Sequence, residues 1–171
     1  MAKLTTFPEP NSALSNPADL FRDYLRFYRG ELVRRITALS SDALTSTTVP
    51  SEWTPVQMLT HLVHMEQRWF VWGFLGRAVD APWGDSKDGS WHVPDDVDAE
   101  TLLRRLEDGA RLTDEVLSSH RMDELATLGG RFTDERPTLI CFHVLQEYAR
   151  HLGHLDVAVE LAGGPRGEGP A

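Results

Sequence analysis

Histidine and carboxylate side chains recur at helical spacing in two parts of the sequence. The first part contains His61 and His64, three residues apart, and the second is a longer run made of His143, Glu147, His151 and His154. At roughly 100° per residue, the side chains of the longer run fall within an arc of about 80° on one helix. Neutral imidazole and carboxylate are good ligands for zinc and similar divalent ions. The spacing therefore indicates a metal site shared by two facing helices.

The exact ligands within each group stay open at this level. His64 could replace His61, and His143 could replace His151. A single histidine on a helix is usually an ordinary hydrogen-bonded residue, and a helical pair such as Glu147 and His151 is worth only a few tenths of a kcal/mol. Polar side chains beside an apolar face are costly unless something satisfies them, so the clustering favours a joint site.

Four stretches with an apolar period of three to four residues predict the helices that must carry these side chains. The first begins at Asn16-Pro17 and ends near Ser40. The second begins with a Thr54–Gln57 capping box and runs to about residue 73 or 76. The third runs from an Asp98 cap through Leu117, and the fourth from Pro137 to Ala162, where two glycines end it.

Four helices of similar length predict an all-α four-helix bundle. Residues 1–164 would form one domain and residues 165–171 a flexible, Gly/Pro-rich tail. A long loop without a period, residues 76–97, joins the second and third helices, and it is either a functional segment or a simple packed connection. The pair Gly129-Gly130 predicts a turn before the fourth helix, and no hairpin turn of the Asn-Gly type is expected.

Composition excludes several classes of partner. The formal net charge is -9, and an acidic chain repels nucleic-acid phosphates and anionic lipid heads. No apolar run is long enough for a membrane span, and the N-terminus lacks a signal-peptide pattern. The single cysteine, Cys141, excludes an internal disulfide. These features predict a cytoplasmic protein that binds neither nucleic acid nor membrane.

Two motifs resemble those of the DinB-like superfamily of metal-binding four-helix bundles. The first is Trp53 followed eight residues later by His61-Leu62, and the second is the run from Glu147 to Asp156, which reads Glu-Tyr-Ala-Arg-His-Leu-Gly-His-Leu-Asp. The resemblance covers nearly the whole chain. Glutamate at position 147 and the longer run are similar to the branch that contains mycothiol S-transferases and mycothiol-dependent maleylpyruvate isomerase.

The resemblance implies roles for individual residues. The metal ligands would be His61, Glu147 and His151, with one coordination position left for water or a thiolate. His64 and His143 would lie beside the ligands, in the pocket that binds the cofactor. Apart from the resemblance, Arg150, Arg131 and Arg136 are candidates to pair with carboxylates of the cofactor or the substrate, and Arg150 is assigned to cofactor binding. His154 together with Asp156 would orient a ligand or carry a proton. The ion would be zinc, with nickel, iron or manganese as alternatives.

The resemblance also implies a function: a divalent-metal-dependent thiol S-transferase. The metal would hold mycothiol or another small thiol as a thiolate for attack on a small electrophile. Cys141 is a poor nucleophile, since it lies in an apolar stretch. Three alternative functions remain at this point: a non-catalytic metal or small-molecule binding protein, a non-haem Fe(II) enzyme and a metal-dependent hydrolase. The assembly is either a monomer or a homodimer.

Overall fold

A computed structural model describes residues 13–47, 49–126 and 137–167. The long helices are α1 (Pro17–Thr37), α3 (Pro55–Glu66), α4 (Ala99–Ser119) and α5 (Pro137–Leu161). A short helix, α2 (Ser41–Thr45), follows α1, and a π-helical segment (Gln67–Phe74) continues α3. Two short strands, β1 (Ser86–Lys87) and β2 (Ser90–Trp91), form an antiparallel pair before α4.

The helix starts follow the capping residues in the sequence. The Asn16 side chain accepts a hydrogen bond from the Ala18 amide, and Asp98 accepts one from the Thr101 amide. Thr54 and Gln57 form both hydrogen bonds of a capping box at the start of α3. At the other end of α5, Gly163 has a φ of 78°, a backbone conformation that glycine adopts without strain. The predicted helix boundaries are confirmed to within a few residues.

The four long helices pack as a bundle, with α1 against α5 and α3 against both α4 and α5. Each long helix contributes leucines with no exposed surface, namely Leu25, Leu59, Leu102 and Leu155. Burying one such side chain stabilises the fold by roughly 1.5–3 kcal/mol. The prediction of an all-α four-helix bundle is confirmed. No helix in the described ranges is both long enough and apolar enough to cross a membrane.

The second predicted helix changes its hydrogen-bonding pattern halfway along. The Leu75 amide donates to the Phe70 carbonyl, five residues earlier, at 3.2 Å. Such π-helical hydrogen bonds are rare and occur frequently at functional sites. The segment carries Arg68 and Trp69, whose side chains both reach residues of the site described below. The sequence pattern predicted the length of this helix but not its change of type.

The loop between the second and third long helices contains a β-hairpin, so the expectation of no hairpin turn was wrong. Asp88 and Gly89 occupy the two turn positions, with φ of 53° and 78°. Positive φ at both central residues is the requirement of a type I′ turn, and Asp-Gly is one of the dipeptides that favour it. The flanking strands are only two residues long, too short for the alternating pattern that a sequence search needs.

The last described residues lie against the bundle. The Gly167 amide donates to Glu160 of α5, and its carbonyl accepts from Arg34 of α1 at 3.3 Å. Gly167 itself is buried. Residues 168–171, the predicted turn at Gly129-Gly130 and the candidates Arg131 and Arg136 lie outside the described residues, and the domain boundary at residue 164 stays a prediction.

Candidate metal centre and its chamber

Side chains from α3 and α5 converge on one point between the helices. One ligand atom each from His61, Glu147 and His151 lies within 4.8 Å of the other two. The Nε2 atom of His61 is 3.2 Å from a carboxylate oxygen of Glu147. The rings of His61 and His151 are 4.6 Å apart between centroids. These are the three residues that the resemblance implied as metal ligands.

The orientation of His61 is fixed by a carboxylate from the loop. Nδ1 of His61 is 2.8 Å from Asp85, and both guanidinium nitrogens of Arg68 donate to the same carboxylate at 2.6 and 3.0 Å. An ionised carboxylate can only accept, so Nδ1 of His61 carries the hydrogen. Nε2 of His61 is thereby the nitrogen left for the centre. This is the carboxylate–histidine arrangement that orients metal-binding imidazoles.

His151 is oriented by its own helix. Its Nδ1 atom is 2.7 Å from the backbone carbonyl of Glu147, one turn earlier. A carbonyl can only accept, so Nδ1 is again the donor and Nε2 carries the lone pair. Both imidazoles therefore offer the same nitrogen, and the third group is a carboxylate. Nε2 of His61 is within hydrogen-bond distance of the Glu147 carboxylate, so a proton can occupy it; without that proton, the two imidazoles and the carboxylate offer three electron-pair donors.

Burial and the neighbouring charges set the protonation states of the cluster. The hydrogen bond from His61 holds the pKa of Glu147 below its usual range. Burial lowers the pKa of His61, but the hydrogen bonds to Asp85 and Glu147 outweigh it and raise that pKa overall. Burial keeps the pKa of His151 low. Two ionised carboxylates thus flank His61, and the cluster favours a positively charged guest, which is either a proton or a metal ion.

Two members of the cluster, Glu147 and His151, line a chamber of about 600 Å³, and the buried His61 lies behind them. Its walls include Trp53, Met58, Trp91, Glu147, His151 and His154. The Trp91 ring, supplied by β2, stands edge-on to His61 at 4.5 Å between centroids. A cavity of this size takes a small organic molecule. The chamber is the place where such a molecule would meet the centre.

A second cleft of about 550 Å³ adjoins the chamber. Trp53, Trp91 and Ser51 line both spaces. The second cleft is more polar, with hydroxyl groups from the hairpin and the amide of Gln57 along its walls. Gln57 also donates to the Trp91 carbonyl at 3.0 Å, which ties the hairpin to α3. A molecule longer than the chamber could therefore extend from the centre into polar surroundings.

Three of the other predicted site residues lie near the centre. His154 and Arg150 are exposed and line the chamber. His143 is half-buried, with Nε2 3.8 Å from Glu147 and its ring 4.0 Å from that of Trp69. His143 thus lies near Oε1 of Glu147, whereas His61 is within hydrogen-bond distance of Oε2.

The structure does not bring His64 and Asp156 into the chamber. His64 is 5% exposed and packs against Gly84, where an added Cβ would lie 2.8 Å from its ring. Neither of its ring nitrogens has a hydrogen-bond partner among the described residues, and burial lowers its pKa, so it is a neutral part of the loop packing. Asp156 pairs with Arg35 of α1. Since His154 and Asp156 are two residues apart, they leave the helix on different sides.

Sequence reasoning missed Asp85, Arg68 and Trp91. All three belong to the π-helical segment or the loop, where no period connects a residue to its neighbours in space. Arg68 also donates to the Pro82 carbonyl at 2.8 Å and stacks 4.5 Å from the Trp83 ring. The only signal available in the sequence was the composition of the loop, with its acidic and aromatic residues. The loop contributes residues to the candidate site, because Asp85 contacts His61 and Trp91 lines the chamber.

The fold and the cluster together define a class of protein: a DinB-like four-helix bundle with a His–Glu–His set between its second and fourth long helices. The family model described as MST, Mycothiol-S-transferase, matches residues 20–164. That span is more than four fifths of the chain, and the chain belongs to this family. Among curated proteins and among solved structures, no significant match was found.

Proposed function

We propose that the protein is a divalent-metal-dependent thiol S-transferase that joins mycothiol, or a similar small thiol, to a small electrophile. One observation carries the proposal: the His61–Glu147–His151 cluster faces an open chamber in a chain of the mycothiol S-transferase family. Three protein ligands beside an open space are typical of catalytic zinc centres, whereas structural zinc sites are closed by four.

The donor set fits a divalent ion. Nδ1 of both imidazoles is within hydrogen-bond distance of an oxygen acceptor, which leaves Nε2 as the available ligand atom, and the lowered pKa of Glu147 favours its ionised form. Two neutral nitrogens and one carboxylate suit zinc, and nickel, iron and manganese are alternatives. When bound, such an ion would lower the pKa of a thiol that reached it, which is the chemistry that the transfer needs.

The protein residues around the centre would position the thiol and manage its proton. Trp53 and Trp91 narrow the chamber and exclude water from the sulfur. The imidazole of His154 lies on the chamber wall and is exposed to solvent, so it can accept the proton that the thiol loses and pass it outward. The polar remainder of the thiol would occupy the adjoining cleft. Asp85 acts through His61, which it orients.

The nucleophile must come from outside the chain. Burial raises the pKa of the Cys141 thiol to about 12. This cysteine lines a separate apolar cavity between α1 and α5, together with Phe21 and Leu145. A thiol with so high a pKa is almost wholly protonated at neutral pH, and the thiolate is the reactive form. A small-molecule thiol is therefore required for the proposed transfer.

The first test is the metal content of the purified protein. We expect about one divalent ion per chain, and His61→Ala or His151→Ala should abolish stoichiometric binding. His120→Ala is the matched control, because this histidine pairs with Glu124 at the end of α4 and lies outside the cluster. Full metal retention in both of the first two variants would place the ion elsewhere and contradict the ligand set.

The second test addresses the thiol. In the cobalt-substituted protein, we expect mycothiol to add sulfur-to-metal charge-transfer absorption in the near ultraviolet, and turnover of a model electrophile to require metal and thiol together. Cys141→Ala should give the same band, which excludes the internal cysteine as its source. Absence of both band and turnover would overturn the transferase. Oxygen consumption by the iron form would then favour an oxygenase. No activity in any of these assays would favour a binding protein.

A cytoplasmic location, assembly as a homodimer and zinc as the bound ion stay predictions. Sedimentation of the purified protein measures the mass of the assembly and so distinguishes a monomer from a homodimer. The proposed ligands of the site are a small thiol and a small electrophile.

A further inference from the structure

Arg150 is a cation on the chamber wall that lacks a carboxylate partner in the described part of the chain. Other arginines of this acidic protein are paired: Arg35 binds Asp156, and Arg68 binds Asp85. Arg150 lies on the same helix as Glu147 and His151 and lines the same space. A guanidinium offers a planar fork of donors that matches a carboxylate. Arg150 lines the chamber and is exposed, so its guanidinium is available to a ligand that enters it.

The rest of the chamber is suited to an apolar body. Met58, Val49 and Val157 contribute aliphatic walls, and two indole rings complete them. Val157 is 55% exposed and Trp91 is 39% exposed, so a ligand would cover apolar surface that is otherwise in contact with water. The one carboxylate on the wall, Glu147, belongs to the His61 cluster and is hydrogen-bonded to His61. Arg150 between apolar walls is therefore suited to an organic anion with a hydrocarbon or aromatic body.

We propose that Arg150 is a specificity-determining residue, which binds the carboxylate of an anionic organic electrophile while the apolar walls hold its body. The inference rests on the proposed thiol transfer for the statement that this ligand is the electrophile. A cation held by the His61 cluster would add to the positive potential in the chamber and favour the same charge. The carboxylate and the reacting carbon would then lie in one chamber, the first at Arg150 and the second near the centre.

The reaction used as a test is aromatic substitution. The sulfur of the thiolate forms a bond to the ring carbon, the carbon–chlorine bond breaks, and chloride leaves with the bonding electrons. The thiol proton passes to the buffer. Two substrates of similar shape differ in charge: 4-chloro-3,5-dinitrobenzoate is an anion, and 1-chloro-2,4-dinitrobenzene is neutral. The ratio of their kcat/KM values isolates recognition of the carboxylate, because effects on the metal and the thiol cancel.

For Arg150→Gln we expect this ratio, anionic over neutral, to fall by about 10- to 100-fold, mainly through KM of the benzoate. Arg150→Lys keeps the charge without the fork and should give an intermediate ratio. Arg166→Gln is the matched control, because it removes one positive charge from an exposed arginine that does not line the chamber. An unchanged ratio in Arg150→Gln, with equal loss on both substrates or with none, would overturn the inference.

A binding measurement separates this inference from the proposed function. The unreactive 3,5-dinitrobenzoate should quench the tryptophan fluorescence of the protein, since two tryptophans line the chamber. We expect Arg150→Gln to weaken this binding by about 10-fold or more and to leave binding of neutral 1,3-dinitrobenzene as in the wild type. Arg150-dependent binding without thiol transfer would refute the transferase alone. Transfer without an Arg150-dependent charge preference, or the absence of any Arg150-dependent binding, would refute this inference.

Discussion

Two polar clusters connect α3 to α5, and only one of them is complete by itself. The Glu66 cluster consists of Glu66 with Arg29, Thr113 and Tyr148. The carboxylate of Glu66 forms an ion pair with Arg29 and accepts hydrogen bonds from Thr113 at 2.5 Å and Tyr148 at 2.8 Å. One negative charge meets one positive charge, and each donor has an acceptor.

The His61 cluster, made of His61, Glu147 and His151, has the opposite balance. Once Nε2 of His61 is deprotonated, the two imidazoles and one carboxylate of the cluster are all electron-pair donors, and one ligand atom from each residue lies within 4.8 Å of the other two. Asp85 adds a further negative charge, and Arg68 forms an ion pair with it through two hydrogen bonds. We infer that charge balance separates the two clusters: the Glu66 cluster is neutral and closed, as suits a structural role, whereas the His61 cluster has the donor set to accept a cation, as proposed above.

The largest expected effect on the free energy of unfolding comes from the Glu66 cluster. Glu66→Ala should destabilise the protein by about 3–5 kcal/mol, because it leaves the Arg29 charge buried without a partner. Glu147→Ala in the metal-free protein should cost about 1 kcal/mol or less, since Glu147 is partly exposed and its neighbours can remain neutral. Urea unfolding of both variants measures the difference. Equal losses would mean that the two clusters contribute alike to the fold.

An intermediate effect is expected from the metal. At a free concentration of one hundred times Kd, the ion should stabilise the protein by about 2.7 kcal/mol. Chelation should lower Tm but leave the helical circular-dichroism spectrum, because the apolar core runs through all four long helices without it. In His151→Ala, the ion should no longer change Tm. Loss of helix on chelation would assign the metal a structural role and weaken the comparison with the Glu66 cluster.

The smallest expected effect is on metal affinity, and it comes from Asp85, whose carboxylate is 2.8 Å from Nδ1 of His61. Asp85→Asn should weaken metal binding by about 10- to 100-fold, because it removes the carboxylate that orients the imidazole. Asparagine keeps an oxygen that can accept from Arg68. Circular dichroism and Tm of the metal-free variant serve as the control for folding.

The same variant should shift the pH dependence of metal binding. The metal needs His61 without its Nε2 proton, and Asp85 and Glu147 raise the pKa of His61, so wild-type affinity should fall as the pH drops through that raised pKa. Without the Asp85 charge, the pKa of His61 decreases, and the fall should begin at a lower pH. Competition titrations from about pH 5 to pH 8 measure both effects. A lower affinity with an unshifted profile would limit Asp85 to orienting the ring.

The sequence determined the helices and, through helical spacing, most of the His61 cluster. Capping residues such as Asn16 and Asp98 act on amides two or three residues away, so local chemistry is enough to place the helix starts. The spacing of Glu147 and His151 placed both on one face of α5 for the same reason. The choice of His61 over His64 came from the resemblance, since three residues along a helix do not decide which imidazole faces a neighbour.

Only the tertiary structure decided what surrounds the ligands. Asp85 lies 24 residues from His61 along the chain and 2.8 Å from it in space, and the contact depends on a π-helical turn and a loop with no sequence period. Tertiary packing also places His64 against Gly84 of the loop, and it pairs Asp156 of α5 with Arg35 of α1. Helical periodicity reports the side on which a residue lies, whereas the partner on that side is set by the packing of elements distant in sequence. That is why the sequence could place the three candidate ligands on facing helices but could not identify the residues that orient them.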